Sequence, residues 1–127
     1  MKRRIVIAED DGMMRTLYAR MIRTLLPDDE ILIASNGLEA WILYDQQRPD
    51  LMISDLNMPE LDGWQLFMRV KDDCEARDLP PVPFLFCTAV RGSAATVDEY
   101  ESSWPLCCIL KPFSIELLHE KIRLLLE

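Results

Sequence analysis

The chain has 127 residues, half of them hydrophobic and 28% charged, which suits one domain with a real core and is too short for two ordinary ones. Acidic residues outnumber basic ones 22 to 14 and the formal net charge is -8, which argues against contact with nucleic acid or with an anionic membrane by this domain. No apolar run approaches the length of a membrane span, and the N-terminal residues do not read as a secretory leader, so a cytoplasmic location is expected.

Arg4-Ile5-Val6-Ile7-Ala8 is a near-continuous apolar run, preceded by a small basic lead-in, Lys2-Arg3-Arg4. It fits a strand covered on both faces. It stops at Glu9-Asp10-Asp11, which is costly to bury and must reach an edge of the sheet. From Met14 to Leu26 the apolar positions Met14, Leu17, Tyr18, Met21, Ile22 and Leu25 recur at helical spacing, with Arg15, Arg20 and Arg23 outside. Pro27-Asp28-Asp29 ends that helix.

Glu30–Ala34 reads as a second strand, Asn36-Gly37 as a turn, and Leu38–Gln47 as a second helix with Leu38, Ala40, Trp41 and Ile42 on its apolar side. Arg48-Pro49-Asp50 breaks it. Leu51–Ser54 is a third strand ending in Asp55, and a third helix is expected from Gly63 to about Asp73. Three prolines, Pro80, Pro81 and Pro83, delay the fourth strand to Phe84–Cys87, which ends at Thr88. A weak helix is expected from about Ser93 to Ser102, with only Ala94, Val97 and Tyr100 on its apolar side. The fifth strand is Leu106–Leu110, with Lys111-Pro112-Phe113 at its end. Ser114 caps a last helix striped by Ile115, Leu118, Ile122 and Leu125.

Five strands thus alternate with five helices. The pattern predicts a doubly wound α/β fold, with a five-stranded parallel sheet between two layers of helices. The four cysteines, Cys74, Cys87, Cys107 and Cys108, read as buried thiols. Cys107 and Cys108 point to opposite faces of a strand and make a poor metal pair. His119, the one histidine, falls on the last helix and cannot by itself anchor a zinc enzyme site. No Gly-rich phosphate loop follows the first strand.

Polar groups gather where the strands end. Strand one ends in Glu9, Asp10 and Asp11, strand three in Asp55, strand four in Thr88 and strand five in Lys111. In a sheet of order 2-1-3-4-5 these ends meet in one crevice. Several carboxylates repel one another, and a hard divalent cation resolves that repulsion. Magnesium suits such a site. Asp10 and Asp55, with the carbonyl of Asn57, are candidate direct ligands, and Glu9 a candidate through water. Asp55 is also a candidate nucleophile toward phosphorus, with the metal and Lys111 stabilising charge and Thr88 offering a hydroxyl.

These residues resemble a known family. Glu9-Asp10-Asp11, Asp55 with Met58-Pro59 and Asp62-Gly63, Thr88-Ala89 and Lys111-Pro112-Phe113 together resemble the response-regulator receiver domain of two-component signalling, chemotaxis-regulator-like in form. The resemblance covers residues 1–127. It implies the flavodoxin-like receiver fold and a phosphoacceptor switch rather than an enzyme. Asp55 would take a phosphoryl group from a sensor histidine kinase or a histidine phosphotransfer protein. Mg2+ would sit on Asp10, Asp55 and Asn57, with Glu9 through water, and Thr88 and Lys111 would respond to the phosphoryl group. Asp11 would be an extra acid. Asn57 and Val90 would flank the approach of the water that removes the phosphoryl group. A homodimer or a downstream effector would read the change.

Two departures stand out. The family carries an aromatic residue three positions before its lysine, where this chain has Cys108, so a swinging ring is not expected to couple the switch. The family carries Gly-Ala before the fifth strand, where this chain has Trp104-Pro105. Trp104 then reads equally as an exposed contact residue or as core filler. The rival readings are a receiver-shaped binding module without phosphorylation and a magnesium hydrolase, for which short loops leave little room.

Overall fold

The computed structural model describes residues 2–89 and 103–127. In chain order the elements are β1 (Arg4–Ala8), α1 (Gly12–Leu25), β2 (Glu30–Ala34), α2 (Gly37–Gln47), β3 (Leu51–Asp55), α3 (Gly63–Ala76), β4 (Phe84–Thr88), β5 (Leu106–Leu110) and α4 (Ile115–Leu126). The sheet order is β2-β1-β3-β4-β5, and every neighbouring pair is parallel. The expected count of five helices is corrected to four among the described residues. The fifth rested on a thin apolar stripe between about Ser93 and Ser102, too weak a period to define an element by itself, and that stretch lies outside the described residues.

Alternation along the strands divides the core in two. Val6, Ala8, Met52, Phe84 and Phe86 face α2 and α3. Ile5, Ile7, Leu51, Ile53, Leu85 and Cys87 face α1 and α4. Both faces are covered, which is why these strands read as continuous apolar runs. Phe67 of α3 centres the first layer, with Phe84, Phe86 and Trp104 edge-on at 5.2, 5.9 and 5.8 Å between centroids. Full burial of side chains of this size contributes about 1.5–3 kcal/mol each.

The inward faces differ in detail from the periodic reading. In α2 the buried residues are Gly37, Ala40 and Tyr44, while Leu38 and Ile42 are exposed. Small Gly37 and Ala40 let the helix sit close to its neighbours: a Cβ on Gly37 would stand 2.0 Å from the Leu61 carbonyl oxygen. Helix α3 runs on to Ala76 because Cys74 continues the buried row of Phe67 and Val70. Trp104 is core: it is 7% exposed, and its Nε1 donates to the Val82 carbonyl at 2.9 Å. All four cysteines are thiols, Cys74 and Cys87 buried and Cys107 and Cys108 partly so. No helix among the described residues is long and apolar enough to cross a membrane.

Candidate functional site

The C-terminal edge of the sheet carries the polar residues. β1 and β3 pair in register up to Ala8 and Ser54, so Glu9 and Asp55 leave the sheet side by side. Glu9, Asp10 and Asp55 each offer a carboxylate oxygen, and these oxygens lie within 4.8 Å of one another. At that separation two such charges repel by about 3 kcal/mol at an effective dielectric near 20. Lys111, just past β5, offsets part of this. Its Nζ donates to Asp55 Oδ2 at 2.8 Å and to Glu9 Oε2 at 3.2 Å.

Burial and charge pairing act in opposite directions on Glu9 and Lys111. Glu9 is 2% exposed. Burial raises its pKa, the Lys111 charge pulls it back, and the nearby Asp55 charge adds to the rise. For Lys111, burial acts to lower the pKa, but the hydrogen bond and charge of Asp55, helped by Tyr18 and Glu9, more than offset it. The ammonium is held above its ordinary range and stays charged.

The local chain explains how each group is placed. Asp11, third of the acidic run, turns away and caps α1, accepting from the N–H groups of Met13 at 2.9 Å and Met14 at 3.1 Å. That leaves Glu9 and Asp10 for the crevice. Arg15 reaches back from the first turns of α1 and donates to the Glu9 carbonyl at 2.9 Å and the Asp10 carbonyl at 3.4 Å. Its place in the periodic pattern marked it only as an outward-facing charge. Asp55 Oδ1 accepts the backbone N–H of Asn57 at 3.1 Å, so Asn57 enters through its main chain. Thr88, fully buried, lies one residue past Cys87, the β4 partner of Asp55. Its carbonyl accepts the Lys111 N–H at 2.8 Å. Val90 lies outside the described residues.

Asp62-Gly63, part of the motif that follows Asp55, has two specific duties. Asp62 caps α3 in a reciprocal box with Gln65. Gly63, the first residue of α3, packs against the strand that carries Asp55: a Cβ there would stand 2.0 Å from the Asp55 carbonyl oxygen. Only the lack of a side chain allows that approach. Tyr18 is the other residue the periodicity treated as mere core. Its ring lies 5.6 Å from Lys111 Nζ.

The donor set is all oxygen, carries three carboxylates, two of them hydrogen-bonded to one ammonium, and opens at a sheet edge. It fits a hard divalent cation. A metal held by carboxylates beside a lysine, with one carboxylate oriented by a backbone N–H, suits phosphoryl transfer to that carboxylate.

Comparison with known proteins decides the family. The response regulator receiver domain matches residues 5–123. The chain belongs to that family. The chemotaxis protein CheY of Listeria monocytogenes is 30% identical to this receiver domain over 122 residues, covering 94% of each chain. A chemotaxis protein CheY homolog of Campylobacter jejuni is 28% identical over 120 residues, covering 94% of this chain and 88% of the relative. The solved signal receiver domain of a signal transduction histidine kinase from Syntrophus aciditrophicus is 27% identical, with a TM-score of 0.78, covering 98% of this chain and 89% of that one. The receiver domain is thus a CheY-like component of two-component signalling. It is a phosphoacceptor that catalyses its own phosphorylation rather than a conventional enzyme. Receiver domains work with histidine kinases or phosphotransfer proteins.

Proposed function

We propose that residues 1–127 form one receiver domain in which Asp55 takes the phosphoryl group from a sensor histidine kinase or a histidine phosphotransfer protein. The observation that carries this reading is the Lys111 ammonium, 2.8 Å from Asp55 and 3.2 Å from Glu9, beside three clustered carboxylates. Glu9, Asp10, Asp55 and the Asn57 carbonyl are the residues that would hold Mg2+, which when bound supplies positive charge against the phosphoryl oxygens.

The chain's own groups do the rest. The Asn57 N–H and the Lys111 ammonium fix the Asp55 carboxylate in one orientation. A carboxylate oxygen forms a bond to phosphorus as the bond from phosphorus to the donor's histidine nitrogen breaks, and that electron pair stays on the imidazole. Lys111 then shifts its hydrogen bond from Asp55 to the phosphoryl oxygens. Thr88, at the end of β4, donates its hydroxyl to the same group. The new charge favours a different packing of the distal surface, which a downstream effector or a second copy reads. Cys108, half-buried against the layer that holds Phe86 and Trp104, replaces the aromatic switch. The change is therefore relayed by packing rather than by a swinging ring.

Intact mass after incubation with acetyl phosphate and magnesium tests this. A single phosphoryl adduct that needs magnesium and is lost in Asp55→Asn is the expected result. No adduct, together with no response of Trp fluorescence to beryllium fluoride and magnesium, would favour a receiver-shaped binding module.

A further inference from the structure

Tyr18 is placed as no simple core residue needs to be. It lies on α1, 4% exposed, with its ring stacked on Phe113 at 5.4 Å between centroids and 24° between planes. The ring also stands 5.6 Å from the Lys111 ammonium, within range of a cation–π contact. Its hydroxyl is buried and has no hydrogen-bond partner among the described residues. A buried hydroxyl without a partner is costly, and a phenylalanine would fill the same space without that cost. The nearby cation is Lys111, which has three N–H donors and places two of them, on Asp55 and Glu9.

We infer that Tyr18 is a positioning residue for Lys111, holding the ammonium at the nucleophile with its ring face and receiving its third N–H on the phenol oxygen as phosphorylation proceeds. The need arises from the chemistry. Once Asp55 carries the phosphoryl group, its oxygen that held Lys111 loses its full charge, and Lys111 must move toward the phosphoryl oxygens. A short shift of the ammonium frees it from one anchor. Tyr18 offers a second anchor that phosphorylation does not alter. Phe113, two residues past Lys111, stacks on the same ring at 5.4 Å, so the segment that carries the lysine is itself packed on Tyr18.

This inference rests on the phosphoacceptor reading, and two measurements separate them. The first is the rate of adduct formation from acetyl phosphate with magnesium, in the full chain, for Y18F and Y18L with and without K111M. Y18F is expected to slow the reaction about tenfold, the scale of one hydrogen bond to a charged group. Y18L should slow it further by also removing the ring. Both effects should vanish in the K111M background. The second is urea unfolding of the same proteins without metal, where Y18L and K111M should be clearly non-additive. Wild-type rates for Y18F, or equal slowing with and without Lys111, would overturn the role of the hydroxyl. Additive effects on unfolding would overturn the ring contact. A wild-type chain that forms no adduct would overturn the phosphoacceptor reading alone, and the unfolding cycle would still decide the Tyr18–Lys111 contact.

Discussion

Lys111 and Asp55 meet across an intervening strand: the ammonium past the end of β5 donates to the carboxylate at the end of β3 at 2.8 Å. β4 lies between them, and its last residue, Thr88, accepts the Lys111 backbone N–H. The lysine is therefore anchored at both ends, by its main chain on β4 and by its side chain over β3. The same ammonium reaches Glu9 beyond β1, so one residue ties three strand ends together.

Removing that charge should cost stability. Lys111→Met leaves Glu9 and Asp55, 3% and 11% exposed at the side chain, without their cation. Breaking a deeply buried pair costs about 3–5 kcal/mol, and a site at a sheet edge should lose less, about 2 kcal/mol. Urea unfolding with a chelator at pH 7 measures this. Added magnesium should recover more stability in the variant than in the wild type, because it then supplies the missing positive charge. An unchanged midpoint would show that the ion pair contributes nothing.

Asp11 should separate from its two neighbours. As the cap of α1 its loss in Asp11→Ala should cost about 1 kcal/mol of stability. Adduct formation from acetyl phosphate should stay near the wild-type level. A loss of phosphorylation as deep as that of Asp10→Asn would place Asp11 in the crevice instead.

Gly63→Ala tests the closeness of α3 to β3, the strand that ends in Asp55. The added Cβ meets the Asp55 carbonyl oxygen at 2.0 Å and Leu56 Cα at 3.0 Å, both backbone. Backbone cannot rotate aside as a flexible side chain can, so β3 and α3 must part. The expected cost is about 3 kcal/mol, at the upper end for overpacking, with slower phosphorylation because Asp55 itself is displaced. Thermal unfolding and intact mass read the two effects.

The far end of the sheet should show its own alkaline signature. Burial raises the pKa of Tyr44 above its ordinary 10.0, and its hydrogen bond to Asp73, 2.6 Å long, raises it further. A raised folded-state pKa means the unfolded chain ionises first, so this tyrosine's contribution to stability is intact below pH 10 and is lost as pH rises above it. At pH 8, Tyr44→Phe should be less stable than the wild type by about 1–2 kcal/mol, the loss of one hydrogen bond to a charged group. Above pH 10 the gap should close at up to about 1.4 kcal/mol per pH unit. Urea midpoints from pH 8 to 11 check it, and a constant gap would contradict the cause.

The order of apolar runs, and the polar residue closing each, were readable because two simple rules apply. Buried parallel strands are apolar on both faces, and charged side chains must emerge where strands end. Glu9, Asp55 and Lys111 could thus be picked out before any fold was seen. Helix faces were less readable. Leu38 and Ile42 carry more apolar area than Ala40, yet α2 buries Gly37, Ala40 and Tyr44, with Gly37 pressed against the Leu61 carbonyl. Trp104 had no period to assign it, and only the gap beside Phe67, with the Val82 carbonyl as acceptor, drew it inside.

By itself the sequence determined which chemistry is present: an acidic run, a lone strand-end aspartate and a lysine, in an order that parallel winding brings to one edge. Only the tertiary structure decided how those groups divide their tasks. It sent Asp11 to a helix cap and turned Arg15 back onto the acidic loop. It pressed Gly63 against Asp55 and set the Tyr18 ring beside Lys111. Apart from the Asp11 cap, which is local, these contacts join residues five or more positions apart. Their energies depend on distances of a few ångströms, which residue type and spacing do not encode.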